Sequence, residues 1–351
     1  KNYLWLDESH LYIQLGYRHG ILKITRGDKS TTAKWHYVQS SGYVVSGLPD
    51  QENRLLFARE SSTQKPKTRL YFLSPKQLID ADFENAIRYP VELRKAKTYV
   101  YDEEWKTLLS LRLSGEDVDF FYLNKQKNKW QKFLTLSEEI KFMPVGFVDE
   151  NTLAVLTNDQ HDLVSLVEFD IRSKSYGKIL FQHPMYDLTG AEVSISRGLE
   201  SVSYVDHGMP KVEYFDNSMK LISQKLQKTF EGTQPLIIDR SLDGEHLLIG
   251  VFDSNTPGEV YYFSNQSQIA TKLFDIKDFD KSITFARALH YTVETNDGEK
   301  IESFLTLPQS NGNGVLLVYP HGGPIGVRDY STFNREAQYL TSRGFAVLNV
   351  N

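Results

Sequence analysis

From the N-terminus onward, short acidic or glycine turns alternate with apolar, β-branched or aromatic runs. Asp7 precedes HLYIQL, Asp50 precedes RLLFAR, Asp102 precedes KTLLSL and Asp149 precedes TLAVL. Arg197-Gly198 then precedes SVSYV, and Asp243-Gly244 precedes HLLIGV. Successive starts lie 43, 52, 47, 48 and 46 residues apart. A repeat of this length carrying several short strands predicts the blades of a β-propeller. Leu236 to Phe274 displays one whole period: LIID, a Ser-Leu-Asp-Gly turn, HLLIGVF, an Asn-Thr-Pro-Gly turn, EVYYFS, a polar break and IATKLF. Four strands joined by hairpins make one blade. The runs RLYFL from Arg69, DFFYLN from Asp119, SLVEFD from Ser165 and KVEYFD from Lys211 repeat its third strand.

The repeat decides how several chemically suggestive residues are read. Asp and Gly supply the local hydrogen bonds and positive φ that tight turns need. Asp102-Glu103-Glu104 occupies the same slot as the other turn acids, so it reads as a turn rather than a metal or glycosidase pair. Asn124 to Lys132, NKQKNKWQK, is the most basic stretch, and it falls where a hairpin tip is due. It reads as a solvated turn rather than a base-stacking platform.

After Asp280 the pattern changes, which places a propeller at 1–280 and the start of a second domain at 281–351. ALHYTVET, an Asn-Asp-Gly turn at 296–298 and KIESFLTLP form one hairpin. Val315 to Tyr319 is a continuous apolar run, the pattern of a parallel strand covered on both faces. Pro320 stops it, and His321-Gly322-Gly323-Pro324 follows, a loop whose glycines let main-chain N–H groups turn toward an anion. Thr332 to Arg343 places Phe333, Ala337 and Leu340 on one helical face, with Gly344 as its C′ residue. Phe345 to Val350 is a second buried strand, so the unit is βαβ and the sheet parallel.

Composition agrees with a mainly β chain: 20 Tyr and 20 Phe stand against 4 Met. The net charge of −5 and pI near 6.0 leave no basic field for nucleic acid or anionic lipid. No apolar run is long enough to span a membrane, and KNYLWLDE has no signal-peptide form. A soluble protein is expected, cytoplasmic or periplasmic. The absence of cysteine excludes disulfides, thiolate metal sites and a cysteine nucleophile. The nine histidines form no H-E-x-x-H or H-x-H cluster, and no phosphate loop occurs, so neither metal nor cofactor is expected. His161, His183, His207 and His246 lie near turns and read as surface residues.

Over residues 288–351 the segments NDGEKIESFLTLP, GVLLVYPHGGP and TSRGFAVLNVN resemble the prolyl oligopeptidase family of serine peptidases, in its acylaminoacyl-peptidase-like branch. The resemblance implies a seven-bladed propeller, of which six repeats are visible, followed by the N-terminal part of an α/β-hydrolase domain. It makes Val315–Tyr319 the third hydrolase strand and Phe345–Val350 the fourth. His321, Gly322, Gly323 and Pro324 become the oxyanion loop, with Gly323 donating its N–H to the developing charge. It also implies a peptide substrate and a propeller that restricts access by size. No serine stands in G-x-S-x-G, so the Ser/Asp/His triad is expected beyond Asn351 and this chain alone is expected to be inactive. With so few strands and one crossover helix, Leu316, Val318, Val347 and Val350 are expected to present apolar faces to water. An esterase using the same loop, or a propeller serving only as an interaction module, remain the alternatives.

Overall fold

The computed structural model describes residues 3–16, 18–48, 51, 53–60, 68–194, 197–241, 243–280, 282–323 and 326–351. Six sheets follow one another along the chain. The first holds β1 (Tyr3–Trp5), β2 (His10–Leu15), β3 (Arg18–Arg26) and β4 (Thr31–Tyr37). The second holds β5 (Gly42–Ser46), β6 (Leu55–Glu60), β7 (Thr68–Leu73) and β8 (Ile87–Arg88), with helix α1 (Pro75–Ile79) before the last strand. The third holds β9 (Thr98–Asp102), β10 (Thr107–Ser114), β11 (Asp117–Asn124) and β12 (Lys129–Ser137). The fourth holds β13 (Phe142–Phe147), β14 (Thr152–Thr157), β15 (Ser165–Asp170) and β16 (Ser175–Phe181). The fifth has three strands among the described residues, β17 (Leu188–Ser194), β18 (Gly198–Asp206) and β19 (Met209–Tyr214), followed by helix α2 (Asn217–Thr229). The sixth holds β20 (Gln234–Arg240), β21 (His246–Asp253), β22 (Thr256–Ser264) and β23 (Ile269–Asp275).

The chain is thus mainly β, built of blade-type sheets, and each of the six repeat starts precedes the second strand of its sheet. The blade therefore begins one strand before the sequence signal. Asp50, one of the repeat turns, lies outside the described residues. In the sixth sheet the Asn-Thr-Pro-Gly turn is corrected: Thr256 pairs with Asp253, which leaves only Ser254 and Asn255 to turn the chain. The basic stretch is a hairpin tip, with β11 ending at Asn124 and β12 beginning at Lys129. Its Trp130 is buried, and the indole N–H donates to the Val91 carbonyl at 3.2 Å.

The chain divides into two compact units. One comprises Lys1–Gln160, Val167–Ile179 and Ser194–Ser196, and the other His161–Leu166, Leu180–Val193 and Arg197–Asn351. In the first unit β6 shows why the repeated runs are continuously apolar. Leu55 and Phe57 pack with Tyr12 and Ile21, whereas Leu56 and Ala58 pack with Leu108 and Phe121. Alternate residues of one strand thus enter two different cores, so both faces must be apolar. β10 does the same, sending Leu108 one way and Leu109 toward Phe133, Phe142 and Phe169. In the second unit Met219, Ile222 and Leu226, one face of α2, cover Leu247, Ile249, Val251 and Phe263 of the sixth sheet.

A seventh sheet closes the sequence, in the order β24 (Ala288–Glu294), β25 (Lys300–Thr306), β27 (Ala346–Val350), β26 (Leu316–Pro320). β26 and β27 are parallel, as a βαβ crossover requires, and β25 joins β27 from the other side antiparallel. The crossover helix α3 is shorter than anticipated, Arg335–Ser342. Asn334 caps its start, accepting from the Ala337 N–H, and Gly344, with φ of +87°, follows its C-cap. Its inward face also differs, since Ala337, Gln338 and Thr341 are buried instead of Phe333 and Leu340. The reason lies in Gln338, whose amide accepts from Ala286 N at 2.9 Å and donates to the carbonyls of Ala286 and Ser254 at 2.7 and 3.1 Å.

Two burial expectations are also revised. β26 is not covered on both faces: it is an edge strand with Leu316 and Val318 exposed at 52% and 61%. Those two apolar side chains meet water as anticipated, but Val347 is fully buried and Val350 half-buried, because β27 is central between β25 and β26.

Candidate functional site

The loop that leaves β26 carries the chemistry singled out in the sequence. His321 is half-buried, while Gly322 and Gly323 are exposed; Pro324 lies outside the described residues. A Cβ built on Gly322 would meet nothing within 4 Å, so the space in front of this backbone is open. Among the described residues, neither the Gly322 nor the Gly323 N–H has a hydrogen-bond acceptor. Two donors without acceptors therefore stand at the C-terminal end of a parallel strand, where α/β sheets bind their ligands.

The return limb of the loop is fastened at three points. The Arg328 guanidinium bonds the Glu302 carboxylate of β25. The Asp329 N–H donates to Asn351 Oδ1 at 2.5 Å, and Asn351 Nδ2 donates back to the Asp329 carbonyl and to Glu302 Oε2, both at 3.2 Å. Ser331 donates through its N–H to the Gly208 carbonyl and through Oγ to the His207 carbonyl, each at 2.9 Å. His207 and Gly208 form the two-residue turn between β18 and β19, both with positive φ, the geometry of a tight hairpin.

This turn also brings two histidines together. The His207 and His290 rings meet edge to face with centroids 4.4 Å apart. Each has a carboxylate partner: Asp206 lies 2.7 Å from His207 Nδ1, and Glu302 lies 3.3 Å from His290 Nε2. The Tyr186 hydroxyl donates to the same Asp206 carboxylate at 2.7 Å; this bond, with partial burial, pushes the phenol up to about 12. Among the described residues no group of three or more His, Asp or Glu is placed to hold a metal ion. None of their helices is long and apolar enough to cross a membrane.

Of the four loop residues named from sequence, the structure brings His321, Gly322 and Gly323 together at the strand end. Sequence reasoning named Arg328, Asp329 and Tyr330 only as residues that could line the cleft; it missed the approach of Asp329 Oδ2 to His321 Nδ1 at 3.4 Å and the Ser331 anchor. Arg328, Asp329, Tyr330, Lys277 and Arg335 also line a polar cavity of about 380 Å³ at the start of α3.

No protein-family model matches the chain. Dipeptidyl aminopeptidase BIII of Pseudoxanthomonas mexicana is 25% identical over 268 residues, covering 72% of this chain and 38% of that protein. Dipeptidyl peptidase family member 6 of Caenorhabditis elegans is 21% identical over 304 residues, covering 76% of this chain and 40% of that one. The chain thus spans about two fifths of the curated relatives it matches. A prolyl endopeptidase structure superposes with a TM-score of 0.63 at 12% identity, covering 97% of this chain and 51% of its own. Sequence likeness to these peptidases and the fold shared with a prolyl endopeptidase together support placing this chain in the prolyl oligopeptidase family.

Proposed function

We propose that the chain supplies the oxyanion side of a serine peptidase site. In this reading residues 281–351 open an α/β-hydrolase domain, and residues 1–280 form a propeller that limits which peptides reach it. The observation that carries it is the pair of Gly322 and Gly323 N–H groups, free of acceptors among the described residues, with open space before Gly322. When a nucleophile attacks a peptide carbonyl, the oxygen gains negative charge. A fixed N–H aimed at that oxygen stabilises the transition state more than the ground state. The Gly323 N–H takes this role, Gly322 makes the turn, and His321 shapes the loop. Loss of one such donor costs about 3 to 4 kcal/mol in the barrier.

In this reading the triad is contributed from outside these residues, among which no serine stands in the G-x-S-x-G pattern of a nucleophile elbow. The 351-residue chain alone is therefore inactive in this reading. A fluorophosphonate probe on the full-length protein tests it, together with release of nitroaniline from dipeptidyl and ester substrates. Covalent labelling with amide cleavage is expected. Cleavage of esters alone would favour an esterase, and absence of any adduct would sink the hydrolase reading in favour of a binding module.

A further inference from the structure

We propose that Asp329 is a positioning residue for the oxyanion loop, acting through His321, an inference that rests on the reading of Gly322 and Gly323 as oxyanion donors. The backbone of Asp329 is held independently of its carboxylate, through Asn351 and through the neighbours Arg328 and Ser331. The carboxylate is thereby spared any anchoring duty. Its Oδ2 is buried and has no hydrogen-bond partner, and neither has the buried His321 Nδ1 that faces it at 3.4 Å. Two buried polar atoms facing each other without other partners are costly unless they serve one another.

At 3.4 Å the pair is longer than a good hydrogen bond. Such contacts in empty sites tighten when the reacting complex forms. The pair bridges the two limbs of the loop, His321 on the limb leaving β26 and Asp329 on the fixed return limb. Drawing His321 toward Asp329 sets the direction of the two amides that follow it. The turn at His207 and Gly208 completes the arrangement by fixing Ser331, two residues beyond Asp329.

Among the described residues the Asp329 side chain makes no hydrogen bond or ion pair other than its approach to His321, so its removal takes away no polar anchor of the fold. In the full-length protein, Asp329→Ala is expected to lower kcat for a peptide nitroanilide about tenfold with KM within about twofold, the signature of an interaction made in the transition state. Asp329→Glu restores part of the loss. Hydrogen exchange at the Gly322 and Gly323 amides is expected to quicken in Asp329→Ala. Unchanged kcat, or a loss carried by KM or by a lowered melting temperature without local exchange, overturns the proposal. Fluorophosphonate labelling of the wild type, run beside it, distinguishes failure of the peptidase reading: if no label is taken up, the exchange comparison alone still decides whether Asp329 orders the loop.

Discussion

Gly208 lies against Phe304 so closely that a Cβ on the glycine would come within 2.4 Å of the ring's Cζ and within 2.6 Å of the Ser331 nitrogen. Phe304 is 1% exposed and has nowhere to move, and the φ of +71° at Gly208 disfavours any side chain. Gly208→Ala therefore combines overpacking with backbone strain and is expected to cost about 3 kcal/mol. Urea unfolding measures it, and a midpoint equal to wild type would mean the turn does not seat on this ring.

Gln338 is the second test of how the last sheet is secured. Replacing it by Leu keeps the volume but strips partners from the Ala286 N–H and from the buried carbonyls of Ala286 and Ser254. A loss of about 2 to 4 kcal/mol is expected, larger than for an apolar swap on the outer face of α3 such as Tyr339→Leu. Equal melting temperatures for these two variants would contradict the assignment.

Asp119 governs part of the acid response. Its side chain is 5% exposed, and burial alone would raise its carboxyl; hydrogen bonds from Arg112, Thr135 and Lys132 outweigh that and hold it at about 2. The folded value lies below the unfolded one, so the carboxylate stabilises fully above about pH 4 and progressively less as pH falls toward about 2. Asp119→Asn should melt lower than wild type at neutral pH, and the gap should close on acidification. A gap that stays constant with pH would refute the linkage.

The exposed edge of β26 makes a prediction for the 351-residue chain on its own. Leu316 and Val318 leave an apolar strand edge open to pairing. Val318→Lys is expected to reduce self-association and dye binding relative to wild type, read by light scattering at matched concentration. Identical scattering would show that contacts form elsewhere.

What was legible in the sequence was local. The run RLLFAR betrays β6 because both its faces are buried, and the glycine loop after VLLVY betrays the strand end because only a turn needs those residues there. Helix α1 had its signal, Ser74 and Gln77 in a reciprocal capping box, but five residues give no hydrophobic period. Helix α2 was hidden because KVEYFD reads as strand up to Asp216, whereas the strand stops at Tyr214 and Asp216 caps the helix. The exposure of β26 could not be read at all: an apolar run looks the same whether or not a neighbour covers it. Likewise, Ser331 finds His207 across 124 residues, a contact no spacing announces.

The central place of β27 has a consequence for synthesis. Leu305 pairs with Leu348 and Thr306 with Val347, so β25 acquires its second neighbour only after about 40 further residues have been added. At roughly 5 to 20 residues per second, the β24–β25 hairpin stands with an open hydrogen-bonding edge for roughly 2 to 8 s on the ribosome. β26 emerges in that interval and must wait as well, because its only partner among the described strands is the same late arrival. The nascent chain therefore depends on β24 and β25 not finding a foreign strand first.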